Sequence, residues 1–573
     1  MSKSNTLNNQ KQFRLSICAI LVGMLFLIWR ARYGYCFNDE PFVLTLAHRL
    51  LRGSKLIMDE WNAAQLFGIV NYPMVSFYYV LTGSTEGILL FARYIFCLAW
   101  FLTSICVYAV FRKYSRFAIA AYVYLILFAP LDYMTCSYTS FGLMGVLLLG
   151  CLYLRVTKKE EKQNWVFTGI ASSFLCCVII LSSPFFMIVY CAAVVVLPVV
   201  VRRKSKRNSK YYYSIILTNL VSTSLIGALC VYTFVLRGHT VQELFARLPY
   251  IFADPTHTDS FLEKTIRTIA AIYRPMLFLY VIGVLLLSAY ALTKKRGQYR
   301  LGIAVYWACI FLFSRVAIAN IVLDQYSFNY EMFDLGILGF AAFILLDKKP
   351  WGVFYSFSIL GLLYAICTFI ASNTKLMSLS AAIVPCGVAG IVYLFLLAQE
   401  VKEKLPSERK ASAIVLVCAM LLCQFSLQIC VRTNRQYWDA PLPYLTEKIE
   451  VGAAKGLITT PEQRSKYETD YEAVCALLEN VEDRENMLFL NLTSNPVIYL
   501  DADLKYGTFS TWTFGYGERL SERFQQYFGE VPENVPDLVY FTDEEEELTS
   551  ILNLGLYQRY DYGEHHLLVK DNG

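Results

Sequence analysis

The sequence predicts a polytopic α-helical membrane protein of about thirteen transmembrane helices, followed by a C-terminal extracytoplasmic α/β domain. Three observations predict this class. First, 56% of the 573 residues are hydrophobic and only 17% are charged, whereas charged residues make up about 25% of an ordinary soluble domain. Second, apolar stretches long enough to cross a bilayer recur along the chain. Third, Lys and Arg collect in every second connection between these stretches, which is typical of a chain that crosses a membrane repeatedly.

The transmembrane helices are predicted from length, because a bilayer core about 30 Å thick requires about 20 apolar residues. The first apolar run is not interpreted as a cleaved signal peptide, since no small-residue cleavage site follows it and Arg30 and Arg32 end it. We expect it to remain as an anchor. The predicted spans are residues 15–31, 89–111, 117–131, 140–156, 165–182, 185–201, 213–236, 271–293, 301–321, 330–346, 352–371, 378–399 and 411–430.

The positions of the basic residues predict the orientation of these spans. Because cytoplasmic loops are enriched in Lys and Arg, the basic connections are expected to be cytoplasmic and the intervening short connections to face outward. Lys3, Lys11 and Arg14 place the amino terminus in the cytoplasm by the same rule, and an odd number of crossings then leaves the carboxyl terminus outside. The basic connections are 112–116, 155–162, 202–210, 294–300, 348–349 and 402–410.

Three polar regions are too long to be simple turns. They are a first outward loop at 32–88, a second outward loop at 237–270 and a tail at 431–573, so residues 1–430 are expected to form the transmembrane module. In the tail, the apolar runs MLFLNL, PVIYL, DLVYF and HHLLVK are predicted strands. The polar stretches YETDYEAVCALLENV and EEEELTSILNLG are predicted helices, which indicates a small α/β domain.

The first outward loop carries the strongest chemical signal, in the segment YCFNDEPFVLTLAHRLLRGSKLIMDEW. Asp39 and Glu40 follow directly after the first span, at the outer surface of the bilayer. A partly desolvated carboxylate has a raised pKa and suits a general base that removes a proton from a hydroxyl group. The same two acids would also suit the amino-terminal cap of an interfacial helix. The spacing alone leaves both interpretations open.

This arrangement resembles the GT-C superfamily of glycosyltransferases, which includes the protein O-mannosyltransferases and the lipid A aminoarabinose transferases. The likeness covers the whole architecture: an Asp-Glu pair opening a long first outward loop, about a dozen further spans and an outward C-terminal domain. The resemblance implies a GT-C-like fold, a polyprenyl-phosphate sugar as donor and usually inversion at the anomeric centre. It also implies that Asp39 is the base toward the acceptor, with Glu40 as its neighbour.

The sequence departs from the protein O-mannosyltransferases at one motif. Those enzymes carry an Asp-x-His-Pro-Pro element later in the loop, whereas here the comparable place reads Asp59-Glu60-Trp61-Asn62. This difference argues against a protein O-mannosyltransferase proper and leaves the acceptor open. Asp59 and Glu60 are candidates for the acceptor site or for supporting contacts around it, and a solvated loop is the alternative.

A lipid phosphate that leaves with negative charge requires cationic side chains near the outer surface. Arg315 is the most costly to place, because an unpaired charge inside a span costs at least about 2.5 kcal/mol; an internal ion pair is the alternative role. For Lys375, in a short outward turn, the alternative is a plain helix connector. The candidates for donor phosphate binding are Arg49, Arg52, Arg93, Arg274, Arg315 and Lys375.

Four acidic or imidazole side chains complete the candidate site. Asp254 and His257 can share one turn of the second outward loop, although the favoured interpretation of Asp254 is a cap of a helix that starts near Pro255. Glu331 and Asp334 lie three residues apart on one helical face, where they can pair with Arg315 or line the acceptor cleft. Because two residues do not make a metal site, no cofactor is assigned and a divalent metal is left open.

The sequence therefore predicts a membrane glycosyltransferase. Its expected partners are a polyprenyl-phosphate-linked sugar, a glycan, lipid or protein acceptor and membrane lipid, with no nucleic acid. A polysaccharide polymerase and a lipid-linked sugar flippase or transporter are the alternatives. A transporter should show inverted-repeat hydropathy and intramembrane substrate charges, and the sequence shows no such repeat.

Overall fold

The computed structural model describes residues 3–571 except 116, 131–132, 157–163, 197–208, 253–259, 272–273, 294–295, 323–329, 373, 375, 405, 407–410 and 435. Helices dominate this part of the chain, and strands occur only toward its carboxyl end. In chain order the helices are α1 Lys3–Arg30, α2 Asp39–Leu51, α3 Phe67–Thr82, α4 Ile88–Phe111, α5 Ile119–Ile126, α6 Tyr138–Val156, α7 Trp165–Ser182, α8 Pro184–Val196, α9 Lys210–Leu236, α10 Val241–Phe252, α11 Phe261–Ala271, α12 Arg274–Leu292, α13 Arg296–Val322, α14 Tyr330–Leu345, α15 Trp351–Ala371, α16 Leu376–Ala382, α17 Val384–Lys404, α18 Ser412–Asn434, α19 Pro461–Leu478, α20 Val497–Ala502 and α21 Arg519–Glu530.

The helical membrane protein predicted from composition is confirmed. Among the described residues, eight helices are long and apolar enough to cross a membrane, namely α4, α6, α7, α9, α13, α15, α17 and α18. Four shorter apolar helices, α8, α12, α14 and the 16–30 part of α1, coincide with four further predicted spans. Twelve of the thirteen predicted spans thus correspond to apolar helices.

The predicted span at 117–131 contains only the eight-residue helix α5. Its two ends nevertheless lie near opposite ends of the bundle: Phe117 stacks on Phe395 with ring centroids 4.4 Å apart, and Tyr133 lies beside Asp39. An interrupted helix exposes carbonyl groups that lipid cannot satisfy. Here the Leu125 carbonyl accepts hydrogen bonds from the Phe128 amide at 3.0 Å and from the Trp100 indole of a neighbouring helix at 2.8 Å.

The loops predicted to face outward share one end of the bundle. In addition to the contact between Asp39 and Tyr133, Trp61 of the first loop stacks on Tyr250 of α10 at 4.5 Å. At the other end, Arg300 forms ion pairs with Asp347 and Glu400, close to connections rich in Lys and Arg. The charge rule predicts that this second end is cytoplasmic, and the absolute orientation stays a prediction.

The tail contains a mixed β-sheet. Strands β3 Leu488–Asn491, β4 Lys505–Tyr506, β5 Leu538–Thr542, β6 Tyr557–Tyr562 and β7 His565–Lys570 follow the hairpin of β1 Glu447–Lys448 and β2 Ile458–Thr459. The sheet order is β4-β3-β5-β7-β6, with β3 parallel to β4 and β5, and β7 antiparallel to β5 and β6. The predicted C-terminal α/β region is therefore present, and the run YETDYEAVCALLENV forms α19 as expected.

One tail prediction was wrong. The run PVIYL was assigned to a strand but forms the helix α20. Pro496 suits the amino-terminal end of a helix, and the Asn495 side chain accepts a hydrogen bond from the Val497 amide at 3.3 Å. A short apolar run with one buried face does not distinguish strand from helix by periodicity.

The tail packs directly on the first outward loop. Phe42 and Leu46 of α2 belong to the same buried cluster as Leu457 and Leu500 of the tail. The backbone also joins them, because Gly34 donates to the Ile458 carbonyl at 2.8 Å. The two regions thus share one hydrophobic core, and the face of α2 that a bare loop would expose is covered by the tail.

Candidate active site

Asp39 occupies the first residue of α2, where an acidic side chain interacts favourably with the helix dipole. Tyr133, Tyr138 and Cys36 lie beside its carboxylate. Burial raises the pKa of Asp39 to about 6, against the opposing effect of the neighbouring Tyr133 hydroxyl. A half-buried carboxylate with this pKa is ionised at neutral pH yet basic enough to take a proton from a hydroxyl group.

Glu40 is fully buried and forms a two-pronged ion pair with Arg93 of α4. The Nε–Oε1 and Nη2–Oε2 distances are 2.7 and 2.5 Å, and neither side chain is exposed. The remaining nitrogen of Arg93, Nη1, donates to the carbonyls of Ala31 and Gly34. The structure therefore places Arg93 as the partner of Glu40 and as a clamp on the end of α1, and not as an open phosphate ligand.

Arg49 and Glu60 form a second buried ion pair within the first loop, and neither is exposed. Arg49 also donates to the carbonyls of Asp59 and Thr508, at 2.8 and 2.5 Å. The Asp59 carboxylate accepts from the Lys55 amide and from the side chain of Asn534. These three predicted site residues consequently join the loop to the tail, and Arg49 is not open to a ligand.

Arg52 lies in a cluster between α2 and the tail. Asp503 binds both the Arg52 guanidinium and His48 Nε2, the latter at 2.8 Å, while His48 Nδ1 pairs with the Tyr506 hydroxyl at 2.8 Å. Burial lowers the pKa of His48, although Asp503 opposes that shift. His48 and Asp503 did not stand out in the sequence, because neither lies in a recognisable motif.

Arg315 pairs with Asp334 inside the helix bundle. One guanidinium nitrogen contacts the Asp334 carboxylate, and Nη1 donates to the Gln424 side chain at 2.6 Å. Tyr280 also hydrogen-bonds Asp334. An internal ion pair is the alternative role that the sequence allowed for Arg315, and a paired charge avoids much of the cost of burial in lipid.

Several predicted site residues lie outside the described part of the structure. Asp254, His257 and Lys375 are among them, and the side chains of Arg274 and Glu331 are likewise not described. Among the described residues, no group of three or more His, Cys, Asp or Glu side chains is placed to hold a metal ion.

Two aromatic residues of the site escaped the sequence analysis. Tyr133 follows α5, and Trp438 follows α18, 305 positions later in the chain; their rings approach with centroids 6.4 Å apart. Tyr437, next to Trp438, lies over the Arg93 guanidinium at 3.4 Å from its ring centroid. The aromatic residues after a predicted span were the available signal, but contacts at this separation are not visible in sequence.

No protein-family model matches the sequence, and no curated protein matches it. Among solved structures, the chain is similar to ArnT from Cupriavidus metallidurans bound to undecaprenyl phosphate, with a TM-score of 0.46 and 10% identity over 97% of each chain. It is also similar to the apo state of that protein, with a TM-score of 0.39 and 11% identity over 98% of each chain. ArnT is a GT-C lipid A aminoarabinose transferase, which is one of the families that the sequence resembles.

Proposed function

We propose that the protein is a glycosyltransferase that moves a sugar from a polyprenyl-phosphate donor to an extracytoplasmic acceptor, with inversion and with Asp39 as the general base. The observation that carries the proposal is the half-buried Asp39 carboxylate, whose pKa is raised to about 6, at the end of the bundle that holds both long loops and the tail. Its neighbour Glu40 is wholly engaged by Arg93, so the two adjacent acids have separate roles. The undecaprenyl phosphate bound to ArnT supports a lipid donor of this kind.

The proposed reaction is a single displacement. The acceptor hydroxyl oxygen attacks the anomeric carbon as its proton passes to the Asp39 carboxylate. The bond between that carbon and the phosphate oxygen breaks, and the lipid phosphate leaves with the bonding electrons. Because attack and departure take place on opposite sides of the carbon, the product has inverted configuration. The proton on Asp39 is then lost to solvent.

The leaving phosphate still requires a cation. Arg49, Arg93 and Arg315 each pair with a buried carboxylate, and Arg52 pairs with Asp503. We therefore assign the phosphate to the two other candidates from the sequence, Arg274 and Lys375. Replacing either by Gln should raise KM for the lipid donor more than it lowers kcat, because the phosphate is already charged in the ground state.

The test is release of polyprenyl phosphate from a panel of polyprenyl-phosphate sugars by purified protein, with surface glycans and lipids as acceptors. Wild type should release lipid phosphate from at least one donor, and Asp39→Asn should reduce the rate by about 100-fold or more, the usual contribution of a general base. The matched control is Glu86→Gln, an exposed acid of the same loop that pairs with Lys455, which should retain full activity. Equal rates for wild type and Asp39→Asn would exclude Asp39 as the base. Transport of intact lipid-linked sugar without cleavage would instead establish a flippase.

A further inference from the structure

A groove runs between α1 and α4 on the outside of the helix bundle. Its volume is about 290 Å³, and its walls include Leu27, Ile28, Leu98 and Phe101. Leu27 is buried and forms part of the floor, whereas half of the Leu98 surface is exposed. The groove is therefore closed below by the packing of the two helices and open along one side to the lipid.

The groove lies within the depth of one leaflet. Tyr94 and Phe101 both line it and are seven residues apart on α4, which corresponds to about 10 Å at 1.5 Å per residue, whereas half of a bilayer core is about 15 Å thick. The Cys97 thiol on the floor donates to the Leu27 carbonyl at 3.5 Å, so it is already engaged. Water in such a groove would find too few polar partners, and a hydrocarbon chain is the occupant that suits these walls.

The end of the groove toward the first outward loop carries a cation. Arg32 is exposed there, and its Nε donates to the Tyr94 hydroxyl at 2.8 Å. Among the described residues, no hydrogen bond or ion pair engages the two terminal nitrogens of Arg32. A guanidinium can bind a phosphate with two parallel hydrogen bonds. The groove thus combines apolar walls with a phosphate-binding group at one end.

The backbone holds Arg32 in a fixed position. Its carbonyl accepts a hydrogen bond from the Ile458 amide of the tail at 2.8 Å. Arg93 of α4 donates to the carbonyls of Ala31 and Gly34, which lie on either side of it in the chain. Because these contacts order the segment before any ligand arrives, less conformational entropy is lost on binding.

The groove is separate from the candidate active site. Arg93 and Tyr94 are neighbours on α4, so their side chains point about 100° apart around the helix. Arg93 is fully buried against Glu40, whereas Tyr94 is turned toward Arg32 and the groove. A ligand held by Arg32 therefore lies on a different face of α4 from the ion pair next to Asp39.

We propose that the groove between α1 and α4 is a binding site for an anionic glycerophospholipid, with one acyl chain along the apolar walls and the headgroup phosphate on the Arg32 guanidinium. Charge complementarity selects the headgroup, because a zwitterionic lipid brings a cation of its own close to Arg32. The length of the groove selects a single chain within one leaflet. The bound lipid would hold α1 against α4 beside the Glu40–Arg93 pair, and it takes no part in the proposed sugar transfer.

The test uses the full-length protein, purified in detergent, and a phosphatidylglycerol that carries a photoreactive diazirine in one acyl chain. After illumination, the labelled residues are located by mass spectrometry of the peptides. Labelling should concentrate on the groove segments at 24–28 and 98–101 and should saturate as the lipid concentration rises. Labelling that is spread evenly over the apolar helices would indicate non-specific lipid contact and overturn the proposal.

Two variants alter the two parts of the site separately. Arg32→Gln should raise the half-saturating lipid concentration about fivefold, the usual effect of one basic residue on binding to an anionic lipid. Its matched control is Arg112→Gln, which removes an exposed arginine at the opposite end of α4 and should leave the value unchanged. An unchanged half-saturating concentration in folded Arg32→Gln, or an equal rise in Arg112→Gln, would exclude Arg32 as the phosphate ligand.

Leu98→Trp should fill the groove and abolish labelling of both segments. Leu98 is half exposed, so the larger ring can be accommodated without disturbing the core, and thermal unfolding verifies that the variant is folded. Leu102→Trp is the matched control, because Leu102 is also half exposed and lies one turn further along α4, outside the groove. Retained labelling in folded Leu98→Trp would show that the acyl chain does not lie in the groove.

Unlabelled competitors identify the occupant. Phosphatidylglycerol should displace the photoreactive lipid, whereas diacylglycerol, which lacks the phosphate, should require at least about a fivefold higher concentration. Inorganic phosphate should not displace it, because most of the affinity comes from the apolar walls. Displacement by undecaprenyl phosphate at lower concentrations than phosphatidylglycerol would assign the groove to a polyprenyl lipid and overturn the proposal. None of these measurements requires sugar transfer, so their outcome is independent of the proposed function.

Discussion

The adjacent acids Asp39 and Glu40 should respond in opposite ways to the same conservative substitution. Glu40→Gln should strongly destabilise the protein, whereas Asp39→Asn should leave it folded and inactive. The reason lies in their partners. Glu40 shares a fully buried ion pair with Arg93, while Asp39 lies beside the Tyr133 hydroxyl and is only half-buried.

The magnitude for Glu40 follows from the charge that it leaves behind. Removing one partner of a buried ion pair typically costs about 3–5 kcal/mol, because the other charge stays buried without compensation. Arg93 would keep its bonds to the carbonyls of Ala31 and Gly34, but its two bonds to the carboxylate would be reduced to at most one bond to the neutral Gln oxygen. Such a loss should appear as a fall in Tm.

The magnitude for Asp39 has the opposite sign. Its folded-state pKa of about 6 lies above the ordinary value of 3.8, so the folded protein binds this proton more tightly than the unfolded chain. Stability is therefore highest below about pH 4, falls as the pH rises to about 6 and is constant above that, at a total cost of up to about 3 kcal/mol. Asp39→Asn removes this cost, so the variant should be at least as stable as wild type at pH 8.

The assay is thermal unfolding of the detergent-purified protein at pH 8, with lipid-phosphate release measured on the same samples. The control for Glu40→Gln is the double variant Glu40→Leu with Arg93→Met, which replaces both charges by apolar groups and should recover most of the lost stability. Wild-type Tm in Glu40→Gln would refute a structural role for the ion pair. A fall in Tm for Asp39→Asn as large as that for Glu40→Gln would refute the separation of the two roles.

Three further outcomes are expected. Burial raises the pKa of Asp501 to about 7, so stability should fall as the pH rises from about 4 to 7; Asp501→Asn, compared with wild type by thermal unfolding across that range, should flatten the dependence. Asp503→Asn should loosen the contact between the tail and Arg52 by about 2 kcal/mol, detected as faster hydrogen exchange at β4 with unchanged exchange at β6. Arg315→Met should lower Tm by leaving Asp334 in the bundle without its cationic partner, and adding Asp334→Leu should restore Tm. An unchanged Tm with lost transfer would instead indicate that Arg315 contacts a ligand.

The sequence was most informative where the physics is local. Span length and hydropathy located twelve apolar helices, because each helix in lipid must satisfy its own backbone and so is encoded in one continuous stretch. The third predicted span could not be predicted in detail, since the carbonyl group of Leu125 at the end of α5 accepts from the Phe128 amide and also from Trp100 of a different helix. The strand prediction for PVIYL failed for a related reason, because its apolar residues are buried whichever conformation they adopt.

The site was predicted only in part. The motif pointed to Asp39, whose burial and raised pKa agree with a base, but the motif could not separate it from Glu40. That separation depends on Arg93, 53 residues from Glu40 and brought to it by the packing of α2 against α4. Likewise, nothing in the local sequence distinguishes Arg49, which is closed off by a buried carboxylate, from an arginine open to a phosphate.

The tail fixes the conformation of the first outward loop. Arg49 is fixed by a tail carbonyl at Thr508, and the Trp61 amide donates to the Phe509 carbonyl at 2.8 Å. Both contacts involve the backbone of the tail, so they depend on its fold more than on individual side chains. A loop of polar residues at a membrane surface would otherwise have many conformations, and ordering it has an entropic cost. The tail also contains Trp438, whose ring centroid lies 6.4 Å from that of Tyr133. Tyr133 in turn lies beside Asp39, the proposed base, so the tail that orders the first loop also contacts a neighbour of the base.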